Sequence, residues 1–408
     1  MMKRTKLMAA LAIVIVTAAL CITLAQSTLT IGQSDQWRIE FVDNGGVYNS
    51  IALDNNGNPH ISYSDSNLKY AWWDNNWHIE NVTFFSTYTS IALDSNDRPH
   101  ISFYHGRLWY VRWDGSSWDF QNVDSDWDAG YCPSIALDSH DRPHISYSYC
   151  RVAGWAGGEG AGALRYARWT GENWIVETVG SSENAWDTSI ALDDNGYPHI
   201  SYRVLSDYGG DIIPPPGTVA LRYARWTGEN WIIETIDNCD GWSSSIALDK
   251  ESYPHVSYYD ARQNALKYAS WDGENWLIET VDNSIGVGVT SWDTISMVID
   301  EFDRPHISYS KWLSYSERYL KYAWRDDGSN WSVQTIDNLN GLGLYTSLAL
   351  DSNGHPHISY SSPSSPLKYA TTVPKIYPAA QIEWIVLLVL VVTAIAVLIA
   401  WKFLVRRK

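Results

Sequence analysis

Residues 50–63 read SIALDNNGNPHISY, and this stretch decides the fold because it recurs seven times along the chain. Its Pro-His pair returns at intervals of 40 to 56 residues, with the histidines at His60, His100, His144, His199, His255, His306 and His357. Self-similarity at such a period is the sequence signature of a propeller, a solenoid or another repeat array. The chain is therefore built from seven copies of one supersecondary unit.

A second pattern completes each unit: L-K-Y-A-x-W, a tight turn, and then W-x-I-E-T-V-D. Both halves are rich in β-branched and aromatic residues, in short runs bounded by Gly, Asn, Asp and Pro, which predicts four strands per unit. Two tight connections alternate with two variable ones. This alternation is typical of a four-stranded antiparallel meander.

The two ends of the repeat region predict how the array closes. A W-x-I-E strand begins at Trp37, before any partner, and the last L-K-Y-A, at Leu367, has no such strand after it. Pairing the first strand with the last unit completes seven sheets, an arrangement that resembles closure in WD-repeat propellers. The sequence predicts an all-β, seven-bladed β-propeller over residues 34–372, with S-I-A-L-D innermost and W-x-I-E-T-V-D outermost.

The flanking segments predict a membrane protein. Residues 1–25 combine basic residues with an apolar run and are interpreted as a signal peptide or signal anchor. Residues 373–383 form a Pro-containing stalk, 384–401 a transmembrane helix, and 402–408 a basic cytoplasmic tail. We expect a single-pass plasma-membrane protein with an extracytoplasmic propeller and a cytoplasmic C-terminus.

Composition restricts the partners. The 408 residues carry a net charge of −17 and no basic run, so nucleic acid is not an expected partner. No cofactor is predicted. Cys132 and Cys150 flank one predicted hairpin at nearly mirrored distances from its turn, which predicts a disulfide and leaves Cys239 over. Asn81 and Asn330 begin sequons for N-glycosylation.

The turn at residues 271–276, WDGENW, resembles the Asp-box of sialidase-like propellers. That motif places Asp two residues before Gly, and in this chain only Asp326 and Gly328 keep the spacing. Sialidases have six blades and use a trio of arginines, whereas Arg165 and Arg222 here occupy repeat positions that hold lysine in other units. The resemblance therefore implies a fold, and no catalytic residues follow from it.

The seven histidines suggest a metal site, but the predicted geometry disfavours one. Each begins a second strand, about 4.8 Å outside the channel wall, so the copies lie too far apart to share an ion. We expect a hydrogen-bond set of this His, the Asp that ends the preceding strand and the Ser two residues on. Turns such as 54–57 are interpreted as Asx turns rather than calcium loops, and no metal site is predicted.

Aromatic residues mark a candidate binding face. One lies two to four residues before the innermost strand of each unit: Tyr48, Tyr88, Tyr131, Trp186, Trp242, Trp292 and Tyr345. The long variable loops add Trp155, Trp312 and Tyr315. Such rings stack on sugars or anchor protein partners. The alternative is that they fill gaps between blades.

Three functions remain open at this level. The first is a membrane-anchored recognition module for a glycan or a surface protein. The second is a sialidase-like glycoside hydrolase, which needs carboxylates clustered at one end of the channel; the candidates are Asp126, Asp128, Glu183, Asp187, Asp240 and Asp293. The third is a purely structural envelope protein.

Overall fold

The computed structural model describes residues 37–149, 162–180, 184–205, 219–239, 241–283, 295–314, 317–326, 330–339, 344–363 and 365–373. Ile39–Thr371 forms one compact unit; the second unit, Met1–Arg38 with Thr372–Lys408, lies almost entirely outside the described residues. Within the described ranges, no helix has the length and apolar character needed to cross a membrane. The predicted signal, stalk, span and tail lie outside these ranges, apart from Val373, and stay predictions.

In the described part of the chain, twenty-eight strands, numbered in chain order, form seven four-stranded sheets. Blades 1 to 3 are β2–β5 (Val47–Leu53, Pro59–Ser64, Asn67–Trp73, Trp77–Phe84), β6–β9 (Thr87–Leu93, Pro99–Tyr104, Leu108–Trp113, Trp118–Asp124) and β10–β13 (Ala129–Leu137, Pro143–Tyr149, Ala163–Trp169, Trp174–Gly180). Blades 4 and 5 are β14–β17 (Asn184–Leu192, Pro198–Leu205, Ala220–Trp226, Trp231–Asp237) and β18–β21 (Gly241–Leu248, Pro254–Asp260, Ala265–Trp271, Trp276–Asn283). Blade 6 is β22–β25 (Ser296–Ile299, Pro305–Ser314, Glu317–Arg325, Trp331–Leu339). Blade 7 is β26–β28 (Tyr345–Leu350, Pro356–Ser361, Leu367–Thr371) with β1 (Arg38–Asp43).

The predicted propeller and its closure are confirmed. In blade 7 the strand order is β1-β28-β27-β26, so the first strand of the chain completes the last blade. The innermost strands contact each other in sequence around the ring, and β2 contacts β26 to close it. Asn49 stabilises the seam, by which we mean the contact between blades 1 and 7. Its Nδ2 donates to Ser361 Oγ at 3.0 Å, and its Oδ1 accepts from Ser359 Oγ at 2.6 Å.

A repeated hydrogen bond joins every innermost strand to the next. In each blade, the serine that begins the S-I-A-L-D segment, or the serine at the equivalent position, accepts a hydrogen bond from a backbone N–H of the next blade. The donor is the residue directly after the next blade's own serine, as in the bond from Ile91 N to Ser50 Oγ at 3.2 Å. The same bond recurs at 3.0–3.2 Å around the whole ring, through the acceptors Ser90, Ser134, Ser189, Ser245, Ser296 and Ser347. We call these seven residues the channel serines. They explain why a small hydroxyl residue begins each copy.

The histidine of the repeated Pro-His element is part of an Asp–His–Tyr set inside each blade. Histidine Nε2 lies 3.1–3.9 Å from the carboxylate of the Asp that follows the innermost strand in all seven blades. Nδ1 shares a hydrogen bond with the tyrosine hydroxyl of the third strand, as in His144 and Tyr166 at 2.6 Å. In blades 5 and 6, Nε2 of His255 and of His306 is hydrogen-bonded to the carboxylate at 3.1 and 3.3 Å; because a carboxylate only accepts, Nε2 carries the proton there and the tyrosine donates to Nδ1.

The predicted third member of this set was wrong. The Ser two residues after the histidine is fully buried, and in five blades of the described structure its hydroxyl is hydrogen-bonded to the neighbouring blade instead, as Ser62 Oγ is to Thr89 Oγ1 at 2.9 Å. The tyrosine takes its place because antiparallel pairing puts it beside the histidine on the same sheet. Its ring packs edge-to-face on the Trp that opens the next blade's outer strand, as Tyr110 does on Trp174 at 5.2 Å.

A second repeated contact, which we call the blade clip, joins adjacent blades near the loops. The Asp that ends an outer strand accepts from a tyrosine and a lysine or arginine of the next blade: Asp43 accepts from Tyr63 and Lys69, both at 2.8 Å. Arg165 fills the lysine position in blade 3, which agrees with its predicted scaffold role. The acceptor Asp is replaced in two places: before blade 4 by Gly180, and before blade 2 by Thr83, where the partners also change, to Phe103 and Trp109.

The propeller has two different faces. Short turns join the first to the second strand and the third to the fourth; we call this end the turn face. Asp54 Oδ1 accepts the N–H groups of Asn56 and Asn58 in one of them, as expected for an Asx turn. The connections between the second and third strands and between blades form the opposite end, the loop face. Strand β1 begins, and β28 ends, at the turn face.

Candidate functional site at the mouth of the channel

The site begins at one backbone position on the innermost strand, two residues before each channel serine. Five blades hold this residue in the left-handed region, with φ between 48° and 53°: Tyr48, Tyr88, Cys132, Asp187 and Ser243. The ladder to the second strand shifts register here, so the position is a bulge. Left-handed backbone is uncommon in residues other than glycine. The bulge turns these five side chains to the mouth of the channel.

Three tyrosines fill one side of the channel. The ring of Tyr48 lies 4.3 Å from that of Tyr88 and 4.7 Å from that of Tyr345, centroid to centroid. These residues come from blades 1, 2 and 7, which are neighbours through the closure. The tyrosines therefore make one continuous aromatic wall.

Small polar residues on the opposite side leave an open cavity. It has a volume of about 190 Å³ and is lined by all seven innermost strands. Beside the tyrosines, the lining includes the seven channel serines and Cys132, Asp187 and Ser243. The volume is below the roughly 300–1,000 Å³ of pockets for drug-sized ligands. It suits a single small ring or an equivalent group.

Asp187 is the carboxylate of the polar side, and Arg203 supports it. Arg203 Nη1 lies 4.0 Å from Asp187 Oδ2, and its guanidinium lies 3.6 Å from the centre of the Trp242 ring. The backbone N–H of Ser243 donates to Oδ2 at 3.5 Å, and the Cys132 thiol lies 3.8 Å from Oδ1. The carboxylate is thus positioned from three blades.

The phenols of Tyr48 and Tyr88 stay neutral. Burial raises the pKa of Tyr48, and burial together with the nearby Cys132, Tyr48 and Asp187 groups raises the pKa of Tyr88. A neutral phenol donates one hydrogen bond and also accepts. The cavity therefore combines an apolar ring surface, hydroxyl groups and one carboxylate.

The structure divides the aromatic set expected from the sequence. Tyr48, Tyr88 and Tyr345 line the cavity, whereas Tyr131, Trp186 and Trp242 precede the bulge by one residue and do not line it. They still extend the wall: the Tyr131 ring lies 6.0 Å from Tyr88 and 5.8 Å from Trp186. Trp292 lies outside the described residues.

The loop aromatics have different positions. Trp312 was expected in a loop, but β23 extends to Ser314, and Trp312 is 6% exposed with the Arg318 guanidinium over its ring. A longer hairpin in blade 6 thus buries it. Trp155 and Tyr315 lie outside the described residues. One aromatic that the sequence analysis did not single out, Trp127, is 69% exposed on the loop face.

The candidate carboxylates do not form one cluster among the described residues. Asp187 lines the cavity, Asp126 pairs with Arg165 at 2.9 Å, and Asp128 lies in the loop before β10. Glu183, Asp240 and Asp293 lie outside the described residues. Within the described part of the lining, Asp187 is the one carboxylate.

One cluster of potential metal ligands belongs to the scaffold. Oxygen and sulfur atoms of Asp237, Cys239 and Asp260 lie within 4.8 Å of one another. Lys267 Nζ sits among them, 2.6 Å from Asp260 and 3.5 Å from Asp237, in the place a cation would take. Burial and the two carboxylates raise the pKa of the Cys239 thiol. The cluster is the blade clip between blades 4 and 5.

The modification sites remain predictions. Asn81 is exposed on the outer strand β5, and Asn330 is exposed just before β25. The thiol of Cys132 lies beside Asp187 of the next blade, and Ser148 stands opposite Tyr131 in the register. Cys150 lies outside the described residues.

Comparison with solved structures gives the fold. A polysaccharide lyase, an ulvan lyase bound to a GlcA–Rha3S saccharide, has a TM-score of 0.56 at 11% identity, covering 81% of this chain and 95% of that one. A Dyadobacter fermentans protein of unknown function has a TM-score of 0.50 at 11% identity, with coverages of 82% and 98%. The Aleuria aurantia lectin has a TM-score of 0.48 at 13% identity, with coverages of 72% and 97%. At these identities the likeness is one of fold.

No protein-family model matches the sequence. No curated protein matches it either. The resemblance to Asp-box propellers is not confirmed by these comparisons. In the turns that prompted it, Asp272 Oδ1 accepts the N–H groups of Glu274 and Asn275, and Thr170 Oγ1 accepts that of Asn173, as in ordinary Asx and Ser/Thr turns.

Proposed function

We propose that this protein is a recognition module that binds a glycan at the mouth of its channel. The observation that carries the proposal is the aromatic wall of Tyr48, Tyr88 and Tyr345 facing hydroxyl groups and the Asp187 carboxylate across a cavity of about 190 Å³. A sugar ring has an apolar C–H face and a rim of hydroxyl groups. Both surfaces have complements here: aromatic rings for the face, and neutral hydroxyls with one carboxylate for the rim.

Backbone strain supports the proposal. Of the fourteen non-glycine residues with positive φ in the described part of the chain, five occupy equivalent positions at the channel mouth, and such residues cost of order 1–3 kcal/mol each. Such strain commonly marks ligand sites, where the surrounding structure holds a side chain in a particular direction. The polysaccharide lyase among the similar structures is compatible with this proposal, although it supports only the fold.

Membrane anchoring is part of the proposal and rests on the sequence. Residues 384–401 are apolar and are followed by basic residues. Because β1 begins and β28 ends at the turn face, an anchor at either end of the chain is connected to that face.

The test is a glycan-array screen of the full chain and of matched variants. Tyr48→Ser and Tyr88→Ser copy the residue that blade 5 carries at this position, Ser243, so the bulge retains a residue type that it already accommodates. Each should weaken binding about tenfold or more, because one stacked ring is lost. Phe302→Ala is the control, since Phe302 is 65% exposed at the turn face.

The outcomes are distinct. Binding that the tyrosine variants lose and the Phe302 variant keeps supports the site. Binding that all variants keep places the glycan elsewhere and refutes the site. If no glycan binds to the folded chain, recognition of a sugar is refuted, and a protein partner or a structural role takes its place.

A further inference from the structure

An exposed apolar patch lies on the loop face of blade 2. Phe84 and Phe85 are each 72% exposed, and Trp127 is 69% exposed. Phe84 ends β5 and Phe85 follows it in the connection to β6, whereas Trp127 lies in the connection from β9 to β10, so the three residues lie on either side of blade 2. Large apolar side chains in such exposed groups mark interaction sites more often than single exposed residues do.

The loop at residues 105–107 connects the two sides of this patch. The ring nitrogen Nδ1 of His105 is hydrogen-bonded to the carbonyl oxygen of Phe85. Trp127 packs against Gly106, where a Cβ atom would come within 2.9 Å of the indole and where φ is +67°. Glycine at this position lets the indole lie against the loop. The patch is therefore a built surface rather than a set of independent side chains.

Aromatic rings join this patch to the channel site. From Tyr88 in the cavity wall, the next ring is Tyr131 at 6.0 Å, and Tyr104 stacks on Tyr131 at 4.2 Å. Tyr104 ends strand β7 and directly precedes His105. Rings thus follow one another from the cavity across blade 2 to its edge.

An arginine at the outer end has its charge available. The Arg107 guanidinium lies 4.7 Å from the centre of the Trp127 ring. Among the described residues, Nε of Arg107 has no hydrogen-bond acceptor, and no carboxylate forms an ion pair with it. The neighbouring Asp126 is instead paired with Arg165, at 2.9 Å. A buried guanidinium N–H without an acceptor favours an anionic group as its partner.

Building on the proposed function, we propose that the loop face of blade 2 binds an extended acidic glycan. One sugar occupies the channel cavity, the chain passes over Tyr131 and Tyr104, and an outer sugar stacks on Trp127 with its carboxylate or sulfate on Arg107. Long-range repulsion by the net charge of −17 does not prevent this, because salt screens charges beyond about 8 Å. The contacts at the site itself therefore determine whether an acidic glycan binds.

Affinity electrophoresis of the full chain tests the proposal. Native gels contain one acidic polysaccharide (alginate, polygalacturonate, hyaluronan or dextran sulfate) or one neutral one (pullulan, laminarin or galactan). At least one acidic polysaccharide should retard the wild-type chain. Trp127→Ala and Arg107→Gln should each weaken that retardation about tenfold, whereas Phe302→Ala should leave it unchanged. Arg107→Lys should restore part of the loss, because it keeps the charge but not the planar fork.

The remaining readouts separate this proposal from the first. Short glycans that bind on the array should bind the Trp127→Ala variant as they bind the wild type, because they occupy only the channel. Retardation by neutral polysaccharides alone, or equal retardation of the wild type and Trp127→Ala, overturns the extended acidic ligand while leaving the channel site standing. Absence of binding on both the array and the gels overturns both proposals.

Light scattering on the same samples tests whether a second copy of the chain, rather than a glycan, binds to the patch. If the wild-type chain is a dimer and Trp127→Ala is a monomer with unchanged retardation, the patch is an interface between copies, and the glycan assignment is overturned.

Discussion

Acid should destabilise the propeller through its buried histidines. Burial lowers the pKa of His100, His144 and His199 to about 4, against 6.5 for an ordinary histidine. Their Asp neighbours oppose this shift without cancelling it. The unfolded chain therefore binds more protons than the folded chain between pH 6.5 and 4, so stability is complete above pH 6.5 and is lost as the pH falls towards 4.

The size of the effect follows from these pKa values. At pH 5 an unfolded histidine is almost fully protonated, whereas a folded one with a pKa of about 4 is largely neutral. The difference lowers the unfolding free energy by about 2 kcal/mol per histidine, or about 6 kcal/mol for the three. Burial also lowers the pKa of His60, His255 and His306, which adds in the same direction. Total stabilities of about 5–15 kcal/mol make this a large loss.

Urea unfolding of the full chain at pH 7 and pH 5, followed by tryptophan fluorescence, measures this loss. His144→Gln should be less stable than the wild type at pH 7, because the hydrogen bond to Tyr166 and the packing beside Asp138 are disturbed. Its further loss between pH 7 and 5 should nevertheless be smaller than that of the wild type by about 2 kcal/mol. The control is His140→Gln, at an exposed histidine of the adjacent turn. Equal losses in the wild type and both variants would refute the reasoning.

Three further predictions concern the closure, the blade clip and the cysteines. Asn49→Ala should lower the unfolding free energy by about 2–3 kcal/mol, since it removes three buried hydrogen bonds between blades 1 and 7; a urea titration showing a loss below about 0.5 kcal/mol contradicts this. Phe103→Tyr should lower the unfolding free energy by about 1–3 kcal/mol, because it buries a hydroxyl group that has no Asp of the blade clip to donate to. In a double-mutant cycle, adding Thr83→Asp to the same chain should recover part of that loss. Peptide mapping without reduction should find Cys132 linked to Cys150, and two separate free peptides would disprove the disulfide.

The scaffold could be predicted because the same chemical demand repeats in every blade. The Pro-His pair, the tight turns and the unpaired strand at Trp37 were enough for the blade count and the closure. The blade clip explains why Arg165 falls where other blades have lysine: both cations reach the Asp that ends an outer strand. Periodic patterns of this kind report on contacts that every copy must make.

The site resisted prediction because its geometry depends on a bulge. Counting residues back from the innermost strand grouped Tyr131 with Tyr48, but the register shift turns Cys132 to the channel and leaves Tyr131 one position earlier. The serine expected beside each histidine failed for a similar reason. Cross-strand pairing, rather than spacing along one strand, placed a tyrosine such as Tyr166 there. Neither effect leaves a mark in a single strand's pattern.

The break in symmetry at the channel mouth is the strongest argument against a purely structural role. Neighbouring positions on the innermost strand keep their hydroxyl residue in all seven blades, since each must accept the next blade's N–H group. The position two residues earlier has the same backbone shape in five blades, yet it carries tyrosine in some and Cys, Asp or Ser in others. Interblade packing alone presents the same demand seven times. The proposed ligand, a molecule without sevenfold symmetry, would account for the aromatic wall on one side and Asp187 on the other.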